Sequence, residues 1–356
     1  MGAQRPRRPG RGRPPTVDEE HIMSEWFVYR GTGQPDPAGI DRLPDPPAWR
    51  RFDAPVVPYE VPGPDSSTRR RLGEDAAPLP IQDSGTLELV NAALYLRRPL
   101  LVTGEPGVGK STLAHAIAYE LELGRVLEWP IVSRSELRDG LYTYDAIGRL
   151  QDSQLPGDDA SRDIGRYIKL GPLGTALLAA DRPRVLLIDE LDKSDIDLPN
   201  DLLNVLEEGR FALPELERIA DHTPVVHVLT DDGRRVAVTG GQVRCRAFPF
   251  VLMTSNGERE FPAPLLRRCI TLDLKAPRDE RLAALVQAHF GQGSYDDNRD
   301  LVDRFTQAEA DGALRPTDQL LNAIFLAQHA ARGEVHRREE ISDLLMQPLD
   351  RGRDSR

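Results

Sequence analysis

"VTGEPGVGKSTL", residues 102–113, decides how the rest of the chain is read. It packs three glycines, a lysine and hydroxyl side chains directly after the aliphatic pair Leu100-Leu101, and it runs into the amphipathic stretch "STLAHAIAYEL". Within it, Gly104-Glu105-Pro106-Gly107-Val108-Gly109-Lys110-Ser111 is G-x-x-x-x-G-K-S between a buried strand and a helix, the context that marks a phosphate-binding loop. The glycines let successive backbone N–H groups turn towards a phosphate, and a helix starting near Lys110 adds the positive end of its dipole. Lys110 is placed to neutralise β- and γ-phosphates and the Ser111 hydroxyl to ligate Mg²⁺. Gly104, Glu105, Pro106, Gly107, Val108, Gly109, Lys110, Ser111 and Thr112 are therefore the candidate nucleotide-binding residues.

Outward from the loop, short aliphatic runs recur at 99–102, 126–132, 184–189, 250–256 and 270–274, with amphipathic stretches between several of them. Continuous apolar runs of this length read as strands buried on both faces. Their alternation with helices predicts an α/β fold, a parallel sheet sandwiched by helices. The run "RVLLIDE" ends in Asp189 and Glu190 at the carboxyl edge of that sheet, where open α/β sheets bind ligands. Asp189 suits a Mg²⁺ held through its water shell, and Glu190 suits activation of an attacking water, so the acidic pair favours hydrolysis over transfer to a second substrate. The fourth run ends in Thr254-Ser255-Asn256; the Asn256 amide either bridges a water and the γ-phosphate or closes a simple turn. Arg267 and Arg268 in "PAPLLRRC" are either solvated surface or a pair facing a neighbouring subunit's nucleotide.

The ends of the chain read differently. Residues 1–79 carry fourteen of the thirty prolines in a background of Gly, Arg and Asp, which excludes sustained periodic structure. This Pro-rich N-terminal arm is either loose or docked through aromatics, Trp26 and Trp49 above all. After Leu274 three helical patterns predict a small all-α lid domain at 275–335, and 336–356 is a charged tail. Net charge is −11, with five arginines and no acid in the first fifteen residues, so the body is a poor nucleic-acid surface. Only four lysines, 110, 169, 193 and 275, occur among 46 basic residues. Cys245 and Cys269 lie in apolar runs and read as buried free thiols. No apolar run reaches membrane-spanning length and none forms a secretory signal, so the expected location is the cytoplasm.

Over roughly residues 80–335 the chain resembles the AAA+ ATPases, and among them the MoxR-like branch. "GEPGVGKS" is similar to Walker A, "LLIDE" to Walker B, Asn256 to sensor 1, and Arg268, with Arg267 beside it, to the arginine finger. "IGRYIKLGPLGTALLAA" (164–180) resembles the helix-2 insertion, and "PVVHVLTDDGRRVAVTGG" (224–241) the hairpin before sensor 1; the latter also reads by itself as two β-rich runs about an Asp-Gly turn. The resemblance implies an AAA+ core over 80–274, ATP and Mg²⁺ as ligands, and a ring of identical subunits, a hexamer. It also implies a protein partner remodelled in trans, of the kind that carries a von Willebrand factor A domain. The sensor-2 arginine departs from the family's usual place, and the nearest residue is Arg315, which either points at the phosphates or flanks a helix cap. Two other functions stay open: a nucleic-acid motor or loader, disfavoured by the acidic charge, and a nucleotide-gated scaffold with little turnover, disfavoured by the intact Asp189, Glu190 and Asn256.

Overall fold

The structure is a computed structural model, and it describes residues 25–73, 83–154, 163–277, 279–291, 293–310, 316–330, 340 and 345. The five aliphatic runs form one sheet from β1 (Leu100–Thr103), β2 (Leu127–Pro130), β5 (Val185–Asp189), β10 (Phe250–Ser255) and β11 (Ile270–Asp273). Across the sheet the order is β11-β1-β10-β5-β2, and every neighbouring pair is parallel. Successive side chains point to opposite faces. Leu100, Val102, Val185 and Leu187 join one buried layer with Val90, Leu94, Leu113 and Ile117, while Leu101, Leu186, Ile188 and Met253 join the other with Leu198, Leu202 and Leu206. Helices α2 (Ser84–Leu96) and α3 (Lys110–Glu120) thus cover one face and α5 (Asp197–Glu208) the other, with α4 (Ala146–Ser153) between in the chain. Burial on both faces is why these strands read as uninterrupted apolar runs. The fold is the expected α/β sandwich.

A second, six-stranded sheet contains β3 (Tyr142–Tyr144), β4 (Ile168–Leu170), β6 (Arg210–Ala212), β7 (Val225–Leu229), β8 (Arg235–Thr239) and β9 (Gln242–Arg244), in the order β3-β4-β7-β8-β9-β6. β7 and β8 are the anticipated hairpin about Asp232-Gly233, with Val225 opposite Thr239 and Leu229 opposite Arg235. The four three-residue strands are too short to show a period of two and have no counterpart in the sequence reading. After α6 (Ala263–Arg268) and β11, the helices α7 (Asp279–Phe290), α8 (Arg299–Ala310) and α9 (Thr317–Ala330) enclose a separate small core of Leu282, Val286, Leu301, Phe305, Leu320 and Ile324. Among the described residues no helix is long and apolar enough to cross a membrane.

Residues 25–73 of the arm are wrapped onto the sandwich. Asn91 of α2, itself fully buried, accepts from the N–H groups of Val28 (2.8 Å) and Tyr29 (3.0 Å) and donates to the Tyr29 carbonyl at 2.7 Å. At the end of α3 the Glu120 carboxylate accepts from the N–H groups of Arg30, Thr32 and Gly33 at 2.6–3.1 Å. These buried polar groups supply the backbone partners that an irregular segment lacks. Val28, Tyr29 and Ile40 enter one layer of the core, and Phe52, Val57 and Tyr59 pack against the other. Arg50, 6% exposed, donates to the carbonyls of Leu206 and Arg97, both at 3.1 Å, with its guanidinium 4.1 Å over the Phe248 ring.

Trp26 rests edge-on against Tyr95, but Trp49 is 73% exposed, so Phe27, Tyr29 and Arg50 dock the arm where Trp49 was the expected anchor. The described part of the arm also holds two 3-10 turns, Ile40–Arg42 and Ala48–Arg50, and one α-helix, α1 (Ser66–Leu72). Its seven residues contain neither Pro nor Gly, and the Asp65 carboxylate caps it by accepting from Ser67 and Thr68 N–H. Gly73 ends it at φ +94°, where a Cβ would lie 2.3 Å from the Ala288 carbonyl oxygen.

Candidate functional site

The glycine-rich loop connects β1 to α3 at the carboxyl edge of the large sheet. Gly107, at φ +81°, faces Pro316 so closely that a Cβ would come within 2.6 Å of the proline's own Cβ. Only glycine gives the loop both that backbone and that clearance. A cavity of about 450 Å³ opens beside it, bounded by Gly107–Thr112, the ends of β5 and β10, and Leu285, His289 and Thr317 from the C-terminal helices. Arg70 and Arg71 of α1 form the wall on the arm's side.

Polar side chains from the ends of two strands, β5 and β10, and from the loop and the start of α3 meet in this cavity. Lys110, only 7% exposed, donates to the carbonyls of Gly104 (2.7 Å) and Glu105 (2.8 Å) and to Asn256 Oδ1 (2.7 Å). Burial pulls its ammonium below the ordinary lysine range, against the opposing attraction of Asp192, Asp189 and Glu190. Ser111 Oγ donates to Asp189 Oδ1 at 2.7 Å. A hydroxyl and one carboxylate are a donor set that suits Mg²⁺, which keeps most of its waters and takes the remaining oxygens from phosphates. Asn256 Nδ2 reaches Glu190 Oε1 at 3.4 Å, while Lys193 holds the other oxygen of Glu190. Glu190 sits at φ +58°, ψ +49°, a left-handed conformation that costs a residue with a Cβ about 1–2 kcal/mol.

Two groups that the motifs did not reveal hold this arrangement. Thr254 Oγ1 donates to Asp189 Oδ1 at 2.7 Å and accepts from the Glu190 N–H at 2.8 Å, tying β10 to the acidic pair. The Asp192 carboxylate, 2% exposed, accepts from the N–H groups of Asn256 (2.9 Å) and Glu258 (3.0 Å), which fixes the backbone that carries Asn256. The third acid of "DELDK" was the available signal for Asp192; Thr254 and the two arginines of α1 left none, since only tertiary packing brings them here.

The remaining candidates lie elsewhere. Arg268 Nε pairs with Glu207 Oε1 of α5 at 2.8 Å, and neither Arg267 nor Arg268 borders the cavity in the same chain. Arg267 is exposed and has no ion-pair partner among the described residues. Arg315 lies outside the described residues; its neighbour Pro316 abuts the loop. Burial pushes the thiols of Cys245 and Cys269 up to about 12, which leaves both unreactive in the core.

A glycine-rich loop between β1 and α3 of a five-stranded parallel sheet, with acids at the end of β5 one strand beyond β10, defines a P-loop nucleotide-binding core. Residues 99–269, a little under half the chain, match the family model described as AAA domain (dynein-related subfamily). No curated protein matches the chain. Among solved structures it is similar to NtrX from Brucella abortus in complex with ATP, at 16% identity and a TM-score of 0.30 over 82% of this chain and 55% of that one. The same protein in complex with ADP gives 16%, a TM-score of 0.33, and 80% and 56% coverage. The Thermotoga maritima RuvB Holliday junction branch migration motor gives 18%, a TM-score of 0.30, and 62% and 52%. The chain spans about half the length of the structures it matches.

Proposed function

We propose that this protein is an ATP-hydrolysing AAA+ enzyme of the MoxR-like branch that works as a ring of identical subunits, a hexamer, and remodels a partner protein. The single observation that carries the reading is the meeting in one cavity of the hydrogen-bonded set Lys110, Asn256 and Glu190 with the Ser111–Asp189 pair. With ATP bound, Lys110 exchanges its neutral acceptors for the β- and γ-phosphates; Ser111 and Asp189 would hold Mg²⁺, which would supply charge neutralisation there. Glu190 accepts a proton from water as that water's oxygen bonds to the γ-phosphorus; the bond to the bridging oxygen breaks and ADP leaves with its electron pair. Asn256 orients the water, the AAA+ core spans 80–274, and the helices of 275–335 act as the lid.

The hairpin β7–β8 and the 164–180 insertion support the MoxR-like placement, and with it a partner carrying a von Willebrand factor A domain. The finger of the next subunit is Arg267 or Arg268; the ion pair of Arg268 with Glu207 favours Arg267. Lys110→Ala is expected to abolish nucleotide binding. Glu190→Gln is expected to bind ATP normally and lose about 10²–10⁴ in turnover. Equal loss of ATP affinity in both, measured by calorimetry beside phosphate release, would remove the role given to Glu190.

A further inference from the structure

The cavity wall on the arm's side carries a cation that the reaction above does not use. α1 lies along α3 and the edge of β2, and four attachments hold it there. Thr68 Oγ1 is 3.1 Å from His115 Nδ1, Ser67 Oγ donates to Glu128 Oε1 at 2.9 Å, Arg71 Nη2 pairs with Glu128 Oε2 at 3.0 Å, and Asp65 pairs with Arg125 Nε at 3.0 Å. They come from both ends of the helix, so its rotation is fixed, and Arg70 and Arg71 border the same cavity as the phosphate loop. Arg71 is engaged by Glu128. Arg70 is exposed and has no ion-pair or side-chain hydrogen-bond partner among the described residues.

We propose that Arg70 is a nucleotide-binding residue, its guanidinium pairing with the polyphosphate of a bound nucleoside triphosphate, so that the N-terminal arm supplies part of the site. The proposal rests on the nucleotide reading of the cavity. A guanidinium carries a permanent charge and a planar fork of donors that matches phosphate oxygens, and helix tethering lowers the entropy lost when it engages. The other charged groups reaching this cavity include Asp189, Glu190 and Asp318, which repel a polyphosphate, and Lys110 is the main cation opposing them on the loop side. Arg71 and Lys275 also border the cavity but are paired with Glu128 and Asp273, so Arg70 adds a cation, unpaired among the described residues, from a different element. It also makes the arm responsive to occupancy, because a nucleotide bound to Arg70 bridges α1 to the loop.

The test uses the full chain and measures the affinities of ATP, ADP and adenosine for the wild type, Arg70→Ala, Arg70→Lys and Lys110→Ala. Arg70→Ala is expected to weaken ATP and ADP by about tenfold, the scale of one lost charged hydrogen bond, and to leave adenosine unchanged. Arg70→Lys keeps most of the affinity. Wild-type ATP affinity in Arg70→Ala alongside failure of Lys110→Ala would overturn the proposal and leave the nucleotide site standing, and equal losses for adenosine and ATP would overturn the phosphate contact. Wild-type affinity in Lys110→Ala as well would overturn the site itself. Thermal melts without nucleotide accompany each variant; if Arg70→Ala melts early, the comparison of Arg70→Gln with Arg70→Lys decides in the same way.

Discussion

Two buried cations, Lys110 in the loop and Arg184 at the start of β5, are held in opposite ways. Arg184, 2% exposed, pairs with the fully buried Asp232 at 2.9 Å and donates to the Arg125 carbonyl at 3.0 Å, with the Tyr59 hydroxyl of the arm beside both. Burial by itself raises the Asp232 carboxyl, but hydrogen bonds from Thr230 and Tyr59 and the Arg184 charge outweigh it and hold the carboxyl below its usual range. Lys110 touches no carboxylate; its three bonds go to neutral oxygens. A cation satisfied by an internal anion has nothing to gain from a ligand, and removing either partner strands a buried charge. A cation hydrogen-bonded only to neutral oxygens, with the nearby acids acting at longer range, can exchange those oxygens for a phosphate's without breaking an ion pair. The first arrangement is architecture; the second leaves the cation able to change partners.

The same distinction applies to the adjacent arginines, where the largest effect is expected. Arg268 is paired with Glu207 and Arg267 is not, so Arg267→Ala is expected to lose about 10³-fold in turnover with ATP binding intact, the scale of a finger acting on another subunit's phosphate. Mixing it with Glu190→Gln restores part of the activity, because a mixed interface pairs an intact Glu190 with an intact Arg267. No recovery at any ratio, with subunit exchange verified by labelled protein, would count against a finger in trans. If Arg268→Ala is the inactive variant instead, pairing in one chain does not predict role and the comparison fails at its surface example.

Next in size is the contrast of the buried pair itself. Arg184→Met leaves Asp232 uncompensated and is expected to lower unfolding stability by about 3–5 kcal/mol. Lys110→Met removes a cation whose hydrogen bonds all go to neutral oxygens, leaving no directly paired carboxylate behind, and should stay within about 1 kcal/mol of wild type. Urea denaturation of both decides it; equal losses would show that the lysine is as structural as the arginine.

A third buried base sharpens the limit between the two. Burial pushes His115 down to about 4, against the attraction of Glu128, so it stays neutral in the fold while an unfolded chain protonates it near the ordinary 6.5. The folded value being the lower one, its contribution is fully present above pH 6.5 and is lost as pH falls towards 4, by at most about 3 kcal/mol. His115→Gln should flatten that part of the stability profile. Denaturation midpoints that fall equally in both proteins between pH 7 and pH 4 would exclude His115 as the cause.

The loop, the five strands of the large sheet and the hairpin were readable because each has its own local signature. Glycines precede Gly-Lys-Ser, apolar runs mark strands covered on both faces, and Asp-Gly divides two β-rich stretches. The three-residue strands β3, β4, β6 and β9 were not readable, since three residues do not establish a period. Nor was the arm: its anchors are hydrogen bonds from backbone to Asn91 and Glu120, and proline-rich composition says nothing about such distant partners. Thr254 and Asp192 belong to the same class. Each acts on a residue more than sixty positions away, through bonds that only the strand order β10-β5 creates.

The docking of Arg50 and Tyr59 also bears on how the chain is made. Synthesis runs from the N-terminus, yet the carbonyl that Arg50 reaches belongs to Leu206, the ring beneath it is Phe248, and the carboxylate against Tyr59 is Asp232. At the usual 5–20 residues per second, the gap between Arg50 and Phe248 keeps the arm waiting on the order of ten to forty seconds after it leaves the ribosome. Until then its Phe, Val and Tyr side chains have no final place to rest. Val28 and Tyr29 find Asn91 much sooner, so the arm closes in two stages, its first half onto α2 and its second half only when β10 has arrived.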